Sequence, residues 1–138
     1  TSATVNYSSL FRGCSSATLI DCSGMDTSSV TTMYAMFFNC TIASIPGVED
    51  FDITSLNQDK LQTFPSGAFF MDGTLLADEV VLPTTQYNNL LINWQAQVEP
   101  IDMDFNFGQS KYTAGSAAAT ARAALVSNGW VITDGGTA

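Results

Sequence analysis

Residues 4–29 and 30–55 align without a gap at a spacing of 26, and this register constrains the fold more than any other feature of the chain. Phe11 pairs with Phe37, Cys14 with Cys40, Ala17 with Ala43, Asp26 with Asp52 and Ser29 with Ser55. Between these identities Leu10 matches Met36, Leu19 matches Ile45 and Met25 matches Phe51, while Thr4, Val30 and Leu56 open successive units. A period in the twenties marks repeat units whose apolar edge only a neighbouring unit can cover. Such stacks offer extended surfaces, which points toward recognition and away from catalysis.

Within a unit the pattern splits in two. Val30, Met33, Phe37 and Cys40 recur at i, i+3, i+7 and i+10, which predicts one face of a short helix. Asp26-Thr27-Ser28-Ser29 supplies N-cap candidates just before it. Ala43, Ile45 and Val48, interrupted by Pro46-Gly47, predict a short extended segment and a turn. The first unit follows suit with Tyr7, Leu10, Phe11 and Cys14, then Ala17, Leu19 and Cys22. One helix and one short strand per unit is leucine-rich-repeat architecture. The third unit decays, because Asp59 and Gln62 fall where Met33 and Met36 stood.

Beyond it the periodicity changes. Phe64-Pro65-Ser66-Gly67 reads as a turn and Val80-Val81-Leu82 as a short strand stopped by Pro83. Thr84 or Thr85 would cap a helix with Tyr87, Leu90, Leu91 and Trp94 on one face. Met103, Phe105 and Phe107 alternate with polar residues as a half-buried strand does. An Ala-rich helix over 114–127, closed by Asn128-Gly129, and a strand over 130–133 complete the chain, with Asp134-Gly135-Gly136 as a terminal turn. The expected fold is an α/β solenoid: a leucine-rich-repeat array of about two and a half repeats over 1–63, closed by a C-terminal α/β cap over 64–138 and packed with it as one continuous domain.

The repeat phrase Asp26-Thr27-Ser28-Ser29-Val30-Thr31-Thr32-Met33, followed by Met36-Phe37-Phe38-Asn39-Cys40, resembles the unit of BspA-type leucine-rich-repeat surface proteins. The later residues Thr85, Tyr87, Leu90, Leu91 and Trp94, then Ser110-Lys111-Tyr112, the Ala-rich stretch and Trp130-Val131-Ile132-Thr133-Asp134-Gly135-Gly136 are similar to the segment that often closes such arrays. The first unit departs from the phrase, with Tyr7 and Leu10 where Met is usual. The resemblance implies a secreted or surface-displayed protein, on a cell or a virion, that attaches through protein or glycan contacts. It supplies no catalytic residues.

Composition narrows the remaining classes. Apolar residues make up 46% of the chain and charged residues 12%, so a sizeable core is affordable. Four basic residues, Arg12, Lys60, Lys111 and Arg122, are scattered among thirteen acidic ones, for a net charge of −9. No basic stripe exists to hold nucleic acid or an anionic membrane. No apolar run reaches the ~20 residues of a bilayer span. The chain opens on Thr1 and reads as a piece of something longer.

There is no His, which removes Ser-His-Asp and Cys-His machinery and imidazole metal ligation. Glu99, Asp102 and Asp104 could act as a glycosidase pair, but alternation explains them more simply as a solvent-facing strand side. Calcium on Asp102-Met103-Asp104, Asp72-Gly73 or Asp134-Gly135-Gly136 lacks a recognised loop pattern, so solvated turns are preferred. Asp26 and Asp52 read as Asx turns, Trp94 and Trp130 as core, and the sequons at Asn6 and Asn39 as coincidental. Cys14 and Cys40, stacked about 5 Å apart, read as a thiol ladder. The expectation is a non-enzyme with no catalytic, cofactor or metal site. It would act alternatively as a structural assembly subunit, such as a virion decoration, tail or extracellular filament protein, in a homo-oligomer or larger assembly. Its interface is the repeat edge formed by Tyr7, Leu10, Phe11 and Leu19, which together with Cys14 a preceding unit would bury.

Overall fold

The computed structural model describes residues 5–56, 80–97 and 103–138. The degenerate third unit beyond Leu56, the 63/64 boundary, the turn at Phe64-Pro65-Ser66-Gly67, and Asp72, Glu99 and Asp102 lie outside them. The described elements are two short strands, β1 (Val5–Asn6) and β2 (Val30–Thr32), a 3-10 turn at Val48–Asp50, and a C-terminal part. That part consists of helix α1 (Thr84–Gln95), strand β3 (Asp104–Asn106), helix α2 (Ala117–Ser127) and strand β4 (Val131–Thr133).

The first two 26-residue units lie on one another in parallel. β1 pairs with β2, and the ladder continues well past the strands. The N–H groups of Val5, Tyr7, Ser9, Phe11 and Gly13 donate to the carbonyls of Ser29, Thr32, Tyr34, Met36 and Phe38 at 2.9–3.0 Å. The intervening N–H groups stay at home: Leu10 donates to Tyr7, Arg12 to Ser9 and Cys14 to Phe11, while Ser8 donates to the Asn6 side chain. The second coil repeats this, with Met36 donating to Met33, Phe38 to Ala35 and Tyr34 to the Thr32 hydroxyl.

The residues expected to form a repeat helix are therefore a ribbon of β-turns, and the difference has a backbone cause. Ser9 and Ala35 both have φ near +55° (59° and 53°), and four residues on Gly13 and Asn39 are also left-handed (78° and 59°). A right-handed helix cannot contain such residues. Turns closed by an i to i+3 bond with positive φ at the third residue require them. The apolar spacing that suggested a helix is nevertheless put to use, since Val30, Met33, Met36, Phe37 and Cys40 are all buried.

Side chains lock the two coils. The rings of Phe11 and Phe37 stack with centroids 5.5 Å apart and a 17° interplanar angle. The Ser8 and Thr32 hydroxyls meet at 3.2 Å, and the Thr31 and Thr41 hydroxyls donate to the Val5 and Ser15 carbonyls. Asp26 accepts from the N–H and hydroxyl of Ser28, and Asp52 accepts identically from Thr54. The third unit opens in the same register: Asp52 N–H donates to the Thr27 hydroxyl, and the Ser55 hydroxyl to the Ser28 carbonyl. Gly47 (φ 89°) marks a close approach between the two coils, because a Cβ there would lie 2.6 Å from the Ser23 nitrogen.

The C-terminal part is a β3–α2–β4 unit with α1 packed against it. β3 and β4 are parallel, pairing Asp104 with Val131 and Asn106 with Thr133. Tyr87, Leu90, Leu91 and Trp94, the predicted stripe of α1, are all buried. They meet an aromatic layer in which Phe105 stacks on Phe107 (5.5 Å) and on Trp130 (5.2 Å). The N-cap of α1 is Pro83, with no side-chain cap, so Thr84 is already helical. α2 is capped by the Ser116 hydroxyl accepting from Ala119 N–H. Residues 80–82 form no strand; Leu82 N–H instead meets the Ser110 hydroxyl at 3.0 Å.

The turn ribbon and a helix respond oppositely to glycine. Ser9→Gly should stabilise the protein by about 0.5–1 kcal/mol in denaturant unfolding, because it relieves a left-handed residue. A helical Ser9 would instead lose ~0.5 kcal/mol. Phe37→Ala should cost about 3–5 kcal/mol by the same measurement.

Candidate functional site

The described structure has two contrasting boundaries: a face of the second coil that the cap covers, and an edge of the first coil. The covered face shows what a finished boundary needs. Along Ile45–Ile53 the second coil presents main-chain groups that α1 and the residues after it satisfy with side chains. Gln86 donates to the Ile45 carbonyl at 2.6 Å, and its side-chain oxygen faces Ile45 N–H at 3.4 Å. Gln97 repeats the arrangement, donating to the Phe51 carbonyl (2.7 Å) and accepting from Ile53 N–H (2.9 Å). Between them the Trp94 indole N–H donates to the Val48 carbonyl at 3.2 Å. Each primary amide turns an N–H and its carbonyl oxygen toward the coil, as a peptide group does, and the second N–H of Gln86 donates to Glu49. The two glutamines therefore stand in for the backbone of another coil.

The edge of the first coil has no such cover among the described residues. Leu10 and Leu19 are 48% and 53% exposed. Phe11 is half-buried, with one ring face on Phe37, and Tyr7 is half-buried with its hydroxyl 3.4 Å from the Asp26 carbonyl. The four residues expected at the edge thus divide into an exposed pair and a partly packed pair. Val5, Cys14, Ile20 and Met25 are also only partly buried against the core. Arg12 arches over the Phe38 ring at 4.9 Å, shielding one end.

The edge also has a main-chain polarity. In the second coil the carbonyls of Thr32, Tyr34, Met36 and Phe38 accept from the first. The equivalent groups one unit earlier belong to Asn6, Ser8, Leu10 and Arg12, and they accept nothing among the described residues. The N–H groups of Ser8, Leu10, Arg12 and Cys14 are spent in local bonds, so along these residues the edge offers main-chain acceptors without main-chain donors. Side-chain patterning carries no trace of that polarity.

The other candidate residues among those described take structural roles. The side chain of Asp134, considered for calcium, is 3% exposed and paired with Arg122 at 2.8 Å. It also accepts from the Tyr87 hydroxyl at 2.7 Å. Burial, then the Asp134 charge, raises the Tyr87 pKa far above its ordinary value. The Arg122 pKa is raised because its partnership with Asp134 outweighs burial, and the guanidinium also covers the Tyr112 ring at 5.2 Å. Asp104 lies on β3, half-buried. Asp26 is held below its ordinary pKa by the Ser28 hydroxyl and then by its N–H, the signature of an Asx turn. Asp21 is lowered in the same way by Ser23. These turns are favoured by ionised carboxylates, so they loosen as pH falls through the lowered values and not as it rises. Among the described residues no cluster of three or more His, Cys, Asp and Glu is placed to hold a metal. No described helix is long and apolar enough to cross a membrane.

The three thiols are unbridged. Cys40 donates to the Phe11 carbonyl at 3.1 Å, and burial raises its pKa. Burial, followed by the neighbouring Asp21 charge, pushes Cys22 up to about 11. Cys14 is the half-exposed one.

Comparison with protein-family models, with curated proteins and with solved structures returns no significant match to this chain.

Two measurements check this geometry. An aromatic disulfide reagent at neutral pH should titrate one thiol quickly, Cys14, and the other two only on unfolding. Cys14→Ser should abolish the fast phase. Gln97→Leu should cost about 1–3 kcal/mol in denaturant unfolding, since it strands Ile53 N–H and the Phe51 carbonyl.

Proposed function

We propose that this chain is a non-enzymatic recognition and attachment module. Its first two units form part of a short leucine-rich-repeat solenoid of BspA type, closed by an α/β cap. Its setting is extracellular, on a cell or virion surface, and it acts through contact with a protein or glycan. The observation that carries this reading is the contrast between the two boundaries. One is sealed side chain by side chain, while the other leaves Leu10 and Leu19 in solvent beside Tyr7 and Phe11. At roughly 25 cal/mol per Å² of apolar surface, covering several such side chains contributes a few kcal/mol to a complex. The repeat phrase and its resemblance support the same reading.

An assembly subunit of a virion or filament is the second reading. It is favoured by the row of main-chain acceptors, since stacked coils fill such rows.

A glycan array and a cell-binding assay separate the two. The attachment reading expects binding to a foreign surface, reduced about tenfold or more in Leu10→Asp/Leu19→Asp. Val126→Asp, on an exposed position of α2, should bind as the wild type does. Self-association with no foreign binding would favour the assembly reading. Equal binding by the edge variant would remove the edge from the account.

A further inference from the structure

The edge of the first coil has a chemical direction that specifies its occupant. Asn6, Ser8, Leu10 and Arg12 present carbonyls at every second residue, and the alternate N–H groups of this ribbon are committed to the second coil. Local turn bonds consume those of Ser8, Leu10, Arg12 and Cys14. We propose that this edge is a docking site for a parallel polypeptide segment that donates an N–H at every second residue and lays an apolar or aromatic side chain on Phe11. This rests on the reading of the edge as the attachment surface, and it names the partner as a main-chain donor strand.

Three observations select that partner. The bond pattern between the two coils, five parallel donations at two-residue steps, is the only one that the same backbone exhibits in its described neighbour. The Phe11 ring, stacked on Phe37 at 5.5 Å, can continue the aromatic column on its opposite face. A second copy meeting edge to edge is disfavoured, because a two-fold axis would set the Ser8, Leu10 and Arg12 carbonyls against like carbonyls, the neighbouring N–H groups being spent in turns. In main-chain terms the partner acts by strand addition, in one orientation only.

The test extends the full chain by one coil. Residues 30–55 are duplicated ahead of Thr4, which keeps the 26-residue register, and a control carries the same residues in scrambled order. The added copies of Met33, Ala35 and Phe37 should show amide hydrogen exchange slowed about 100-fold relative to the scrambled control. Unprotected amides in the added coil would overturn the proposal. Surface binding is then compared between the original protein and an extended one carrying Met36→Asp and Ile45→Asp in the duplicated residues only, which spoils the new outer edge as Leu10→Asp/Leu19→Asp spoils the original. A docked coil that abolishes surface binding supports both readings. A docked coil that leaves it intact retains the strand site and overturns attachment through it. Loss of binding in Leu10→Asp/Leu19→Asp without docking of the added coil would keep the attachment surface and overturn the strand chemistry.

Discussion

The structure depends on a division of labour among the main-chain N–H groups of residues 5–14. Alternate groups reach across to the second coil, and from Ser8 onward the ones between close turns within their own. A regular helix spends all its N–H groups internally, and a regular strand spends them on its two neighbours. The turn ribbon does both at once, which lets a coil hold its own shape while adhering to the next. The cost is left-handed backbone at Ser9 and Ala35, where neither residue is glycine. Strain of about 1–2 kcal/mol at each position is acceptable only because the inter-coil bonds and the Phe11–Phe37 stack depend on that path.

A stack of this kind must end somewhere, and its last coil carries unsatisfied peptide groups as well as apolar side chains. The C-terminal part answers both needs. Its aromatic layer of Trp94, Phe105, Phe107 and Trp130 supplies buried surface, while Gln86, Gln97 and Trp94 supply hydrogen bonds. The cap is itself tied together by Asp134, which gathers Arg122 from α2, Tyr87 from α1 and Gly136 N–H from the terminal turn. A buried carboxylate with several partners is tolerated where an unpaired one would not be.

Much of this was legible in the sequence, and the exceptions share a cause. The 26-residue register correctly paired Phe11 with Phe37, and the stripe Tyr87, Leu90, Leu91, Trp94 marked α1 without ambiguity. Strand alternation located β3, and the Asp at the repeated turn position forms the Asx turn its residue type suggests. What sequence reasoning missed lies in the backbone. A turn ribbon buries residues about three apart, as a helix does, so Met33, Met36 and Phe37 could not distinguish the two. The signal that could have is the pairing of Gly13 with Asn39, two residue types that accept left-handed φ, at one repeat position. Leu10 and Leu19 were recognisable as edge residues. The carbonyl row behind them was not, because every residue type carries the same peptide group.

That row changes what an exposed edge means. The edge of an ordinary β-sheet alternates donors and acceptors, so a second copy can turn around and pair with it, which is why such edges aggregate. Here the turn bonds have withdrawn the donors: the Leu10, Arg12 and Cys14 N–H groups face their own carbonyls. Along residues 8–14 two copies of the edge therefore offer each other like dipoles, and hydrophobic contact between Leu10 and Leu19 of each would have to be made over unsatisfied carbonyls. A parallel donor strand meets no such penalty and gains the apolar contact as well. The same turns that give the coil its shape thus make the edge selective, open to one strand direction and closed to its own image.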